Sequence, residues 1–142
     1  METTNIVPAL ILNARTEAIV ASAVEVAATR ASRRRGLLGR DAFDACAALI
    51  LSPCWTIHTA FMRFPIDVAF VGRDGRVVQV AEDLPPWRVA AAPSASVVIE
   101  LAAGVLRARD VKVGDQLYLS TPAGRRLGPL CDPGDARAKM IA

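Results

Sequence analysis

The sequence is short of the residues that usually announce chemistry. Its 142 residues include a single histidine, His58, and three cysteines, Cys46, Cys54 and Cys131. An odd cysteine count without C-x-x-C spacing argues against a disulfide framework and a cysteine zinc site. It predicts free thiols and a reducing, cytoplasmic setting. Lysine is nearly missing, with Lys112 and Lys139 alone beside fifteen arginines, a skew that reads more readily as coding bias than as a functional demand. Aromatic residues make up 5%, and the net charge is only +3, so the chain has neither the basic surface nor the stacking rings of a single-strand nucleic-acid binder. No apolar run approaches the ~20 residues of a membrane-spanning helix. The start, METTNIVPALILNA, has Glu2 where a leader would be cationic and Pro8 inside its apolar run, so no signal peptide is expected. The glycine-rich phosphate loops, H-E-x-x-H and G-x-S-x-G are all absent.

What is present is patterning. Hydrophobic residues are 53% and charged residues 22%, the balance of a folded domain, and the length suits one core. Apolar runs at 9–12 and 18–28, divided by Asn13-Ala14-Arg15-Thr16, predict a hairpin. The second run alternates Val20, Ser22, Val24 and Val26 with Ala21, Ala23 and Glu25. Thr29 and Ser32 are candidate N-caps for a short helix running to Gly39. Residues 47–51 are continuously apolar, and strands are expected at 54–62 and 66–71. Asp74-Gly75 is the clearest turn, and it predicts a hairpin into 77–80. Two prolines and no period make 84–94 a long loop, followed by strands at 96–101 and 116–120 around one or two helical turns at 103–109. The expected fold is all-β with one or two short helices: a single compact β-barrel or jelly-roll-like sandwich over 1–120, with 121–142 as a mobile tail. The expected core is Val20, Val24, Val26, Ile57, Phe61, Val68, Phe70, Val78, Val98, Ile99 and Leu117, although Val98 and Ile99 cannot both face one core.

The stretch Ile57-His58-Thr59-Ala60-Phe61-Met62-Arg63-Phe64-Pro65-Ile66-Asp67-Val68 resembles a bacterial and archaeal family, domain of unknown function 192. Matching segments follow the same order: Val24-Glu25-Val26-Ala27, Arg35-Gly36-Leu37-Leu38-Gly39-Arg40 and Asp74-Gly75-Arg76-Val77-Val78. Pro86-Trp87-Arg88, Val98-Ile99-Glu100-Leu101-Ala102-Ala103-Gly104 and Val113-Gly114-Asp115 complete the set. The resemblance runs from Ala14 to Leu119. It implies a small β-barrel or jelly roll and brings no agreed biochemical activity with it. One departure is Asp44-Ala45-Cys46-Ala47, where the family commonly has a glycine-containing segment.

Cys54, His58 and Met62 are soft ligands four residues apart, but on a strand that spacing spans ~13 Å, too far for one ion. Neither a metal nor another cofactor is expected, and the same distance separates Cys54 from His58 as nucleophile and base. Asp67, inside an apolar run, needs backbone amides or an arginine such as Arg63 or Arg35. An antiparallel pairing of 54–61 with 64–71 would set His58 opposite Asp67 and Ile57 opposite Val68. The expected site is therefore a binding rim of His58, Arg63, Asp67 and Trp87, with no catalytic residue assigned, taking an unknown small molecule or protein. An enzyme using His58 as base and Asp67 as its orienter is the alternative. A weaker one docks an acidic partner through a helix carrying Arg30, Arg33, Arg34, Arg35 and Arg40. Nucleic acid and membrane are not expected partners.

Overall fold

Breaks in the apolar pattern decide where strands begin and end. This computed structural model describes residues 5–129. Strands β1 (Asn5–Val7) and β2 (Leu10–Asn13) are parted by Pro8, which has no N–H for a ladder. The apolar run 18–28 makes two strands, β3 (Ile19–Ala21) and β4 (Ala23–Ala27), divided at the exposed Ser22. β2 and β3 form the expected hairpin. Helix α1 (Arg30–Arg35) starts at a reciprocal cap: the Thr29 hydroxyl accepts from the Ser32 amide, and the Ser32 hydroxyl accepts from the Thr29 amide. It stops at Gly36, earlier than Gly39, because Gly36 takes φ +47°, a left-handed value that a Cβ would oppose.

The continuous run becomes β5 (Ala47–Leu51), buried at every position because it is a central strand with neighbours on both edges and cover on both faces. β6 (Thr56–His58), β7 (Ile66–Val71) and β8 (Val77–Leu84) follow, the last two joined at the Asp74-Gly75 turn. The stretch 84–94, expected to be a loop, holds β9 (Val89–Ala91). Then come β10 (Val97–Ala102), α2 (Val105–Ala108), β11 (Leu117–Ser120) and β12 (Arg126–Pro129). β12 pairs with β11 inside the segment assigned to the tail, while 130–142, with Cys131, lie outside the described residues.

Three sheets result, ordered β1-β4-β5-β10-β7-β8, β12-β11-β2-β3 and β6-β9. The chain is β-rich and sandwich-like, and among the described residues no sheet closes into a barrel. β4 and β5 run parallel, linked through α1, and the other pairings in the large sheet are antiparallel. Because successive side chains point to opposite faces, the six-stranded sheet carries two cores. One packs Val24, Ile50, Ala69 and Ile99 against Ile11 and Leu119 of the four-stranded sheet. The other packs Leu49, Val68, Phe70 and Val98 against Leu37, Ile57 and Met62. Val98 and Ile99 thus serve different cores, which resolves their conflict. Each buried leucine or isoleucine contributes roughly 1.5–3 kcal/mol relative to exposure. Phe61 corrects the expected core: it is 73% exposed, at φ +65° in the reversal after β6 rather than on an alternating strand.

Candidate functional site

The strand pairing expected for His58 and Asp67 does not form. β6 pairs with β9, setting His58 opposite Val89, while β7 lies between β10 and β8, setting Asp67 opposite Leu101. Asp67 shares the face of Leu101, toward the first core, whereas β6 covers the second through Ile57. The large sheet therefore separates the imidazole from the carboxylate. Pro65 and the reversal at 59–62 keep the two segments from closing a tight hairpin, and β9 takes the edge of β6 instead.

Asp67 is fully buried and closed by its own backbone. Oδ1 accepts from the Asp83 amide at 2.7 Å, and Oδ2 accepts from the Gly104 and Leu106 amides, each at 3.0 Å. Three amides and no arginine hold it, so it fastens the start of α2 to β7 and β8. It borders a shallow cavity with Glu82 and Arg107, away from the His58 strand. Arg63 is exposed and pairs with Asp41, which is more exposed still. Trp87 is 61% exposed and meets Phe61 edge-on, with ring centroids 4.6 Å apart. Both residues hold φ near +65°, a conformation costing on the order of 1–3 kcal/mol each for such side chains.

A different acid is left open. Glu100 on β10 is 3% exposed, and among the described residues its Oε2 has no hydrogen-bond partner. Register puts Glu25, Leu49, Glu100 and Val68 in one row across the sheet, all facing α1 and β6. Burial raises the Glu100 carboxyl to about 7, with the charge of Arg40 opposing the shift. Arg40 is itself occupied, its two terminal nitrogens donating to the Glu25 carboxylate at 2.8 and 3.1 Å. Gly36 passes close above: a Cβ there would stand 3.6 Å from Oε2.

Glu100 opens on a cavity of about 320 Å³ between the end of α1 and β6. Leu37, Leu38, Leu51, Ile57 and Met62 give it an apolar wall. Its polar lining includes Cys54, Thr56, His58 and the arginines 33, 34 and 35. Arg33 donates to the Ala28 carbonyl at 2.6 Å, tying α1 to the residue that follows β4. Arg34 and Arg35 are exposed and enter no ion pair among the described residues. Cys54 donates its thiol proton to the Thr56 carbonyl at 3.1 Å. Burial, with Glu100 adding to it, pushes that thiol up, so it stays protonated and is no thiolate nucleophile. Cys46 and Cys54 are free thiols. No three His, Cys, Asp or Glu among the described residues stand together as a metal site.

A model of the DUF192 family, an uncharacterized ACR group, matches residues 11–119. The chain belongs to the DUF192 family. A solved structure of a protein of unknown function from Novosphingobium aromaticivorans DSM 12444 is similar to this DUF192 chain at 25% identity and a TM-score of 0.69, covering 79% of this chain and 84% of that one. A second, a candidate transcription regulator from Sinorhizobium meliloti 1021, is similar at 19% identity and a TM-score of 0.74, covering 84% and 97%. It bears on the fold alone. No curated protein matches the sequence.

Of the four expected rim residues, only His58 lines the Glu100 cavity; Asp67 borders another, and Arg63 and Trp87 border neither. In the DUF192 chain Glu100 is not among the expected rim residues. The signal was its place inside Val97-Val98-Ile99-Glu100-Leu101, where a lone charge interrupts a run long enough for a buried strand. Among the described residues no helix is long and apolar enough to cross a membrane.

Proposed function

We propose that this DUF192 chain is a small-molecule-binding domain whose site is the Glu100 cavity. One observation carries the reading: Glu100, on the lining of the cavity, has a buried carboxyl oxygen with no hydrogen-bond partner among the described residues. Leaving such an acceptor unpaired costs roughly 1–3 kcal/mol, more for a charged group, which a donor on a ligand offsets. The apolar wall supplies contact area, and the polar groups around it are few, the usual make-up of a ligand pocket. His58 stands at its edge and belongs to the site as a binding group. General-base work by His58 with Asp67 as orienter does not fit, because the sheet separates them and three backbone amides already hold the Asp67 carboxylate.

The test is a thermal-shift screen against a broad metabolite library, run on the wild type and on Thr56→Trp. Thr56 is exposed on β6 at the cavity, and the indole is expected to fill its mouth. A ligand at 100 times its dissociation constant adds ~2.7 kcal/mol of stability. Saturable stabilisation of the wild type that Thr56→Trp abolishes is the expected result. Compounds that stabilise both proteins equally, or none that stabilise the wild type, would overturn the reading.

A further inference from the structure

The cavity is not uniform in charge, and its polarity has a direction. At the inner end lies the buried Glu100 Oε2, which lacks a donor among the described residues. At the outer end Arg34 and Arg35 line the same space, exposed and outside any ion pair among the described residues. The rest of the lining is mostly apolar, with Arg33, Cys54, Thr56 and His58 as its other polar side chains. A cavity of about 320 Å³ is on the order of ten times the ~30 Å³ share of one water, room for a compact metabolite and no polymer.

Resting on the small-molecule reading above, we propose that the cavity takes a small zwitterion. Its amine end donates to Glu100, and its carboxylate or phosphate end sits at the Arg34 and Arg35 mouth. The charges select this class by elimination. A lone cation would suit Glu100 but would have to pass two arginines of like sign. A lone anion would suit the arginines but brings no donor to the Glu100 oxygen. A neutral polyol could donate to Glu100 and would leave the arginine pair with no counterpart. A zwitterion meets both ends, and at each it makes a charge-assisted hydrogen bond, stronger than its neutral equivalent. The buried end sets specificity, because a site built to accept from a donor strongly rejects the analogue lacking it.

Isothermal titration of the full chain decides the matter, with glycine, γ-aminobutyrate and phosphoethanolamine as zwitterions. Ethanolamine and inorganic phosphate serve as the separated halves, and glycerol as the neutral donor. At least one zwitterion is expected to bind tenfold or more tightly than either half. Glu100→Gln is expected to weaken that binding at least tenfold. The double variant Arg34→Ala/Arg35→Ala, altered only at exposed positions, is expected to weaken it similarly and to flatten its salt dependence. Phosphate binding that Glu100→Gln leaves unchanged would overturn the proposal in favour of a surface anion site. Glycerol binding insensitive to the arginine variant would overturn it while leaving the small-molecule reading intact. If no zwitterion binds, the proposal fails, and a failed library screen on the same protein would bring down the underlying reading as well.

Discussion

Asp67 and Glu100 are two buried acids on adjacent strands of one sheet, and they meet opposite fates. Asp67 on β7 looks toward the first core and accepts from three backbone amides. Glu100 on β10 looks toward the second, and its Oε2 accepts from no described residue. The first carboxylate is a fastener that joins β7, β8 and α2. The second contributes nothing comparable to the fold and is held out of water beside a cavity. Burial alone therefore does not mark a site; a buried acid does so when its partners are missing among the described residues.

The contrast can be broken from either side. The largest effect is expected at Asp67→Ala, which orphans three amides and should cost on the order of 4 kcal/mol in urea unfolding. A loss under 1 kcal/mol would mean that those amides have other acceptors. Glu100→Gln should behave differently, and its effect should depend on pH. The folded-state carboxyl at about 7 lies above its ordinary 4.5, so the folded protein holds the proton more tightly than the unfolded chain. Stability contributed by the protonated form is complete below 4.5 and is lost as pH rises through 7. Relative to wild type, Glu100→Gln should gain about 3 kcal/mol between pH 4.5 and pH 8. A pH-independent difference would contradict the open acceptor.

Asp115 is a third buried acid, satisfied this time mainly by side chains. It accepts from Asn13 and the Lys112 amide at 2.8 Å and from Arg15 at 2.7 and 3.0 Å. Led by the Arg15 hydrogen bond, these hold its carboxyl at about 2, below the usual 3.8. That stability is present above 3.8 and is lost as pH falls through 2. Asp115→Asn should cost about 2 kcal/mol at pH 7, and the gap should narrow in acid unfolding toward pH 2. The smallest effect belongs to Arg63→Ala. Its ion pair with Asp41 is exposed on both sides, and a loss above ~1 kcal/mol in thermal unfolding would show that Arg63 does more than decorate the surface.

Local chemistry was legible in the sequence, and remote pairing was not. The Asp74-Gly75 turn, the Thr29 and Ser32 cap and the central β5 each follow from residues within a few positions of one another. The conflict between Val98 and Ile99 even held the second core, since neighbouring strand residues must face opposite sides. What failed depended on partners far along the chain. β9 has three residues flanked by prolines and no alternation to reveal it, and once it takes the edge of β6, the His58 and Asp67 pairing is gone. Phe61 fits an apolar pattern, but its backbone conformation turns it outward. Glu100 required knowing that the end of α1 arrives above it without bringing a donor.

The most direct test is a ¹³C NMR titration of the glutamate side-chain carboxyls in the ligand-free chain, with Glu100→Gln to assign the resonance. The open acceptor predicts a midpoint of about 7 for Glu100. A midpoint at or below the ordinary 4.5 would mean that the protein itself holds the carboxylate ionised, and the cavity would lose its claim to a ligand.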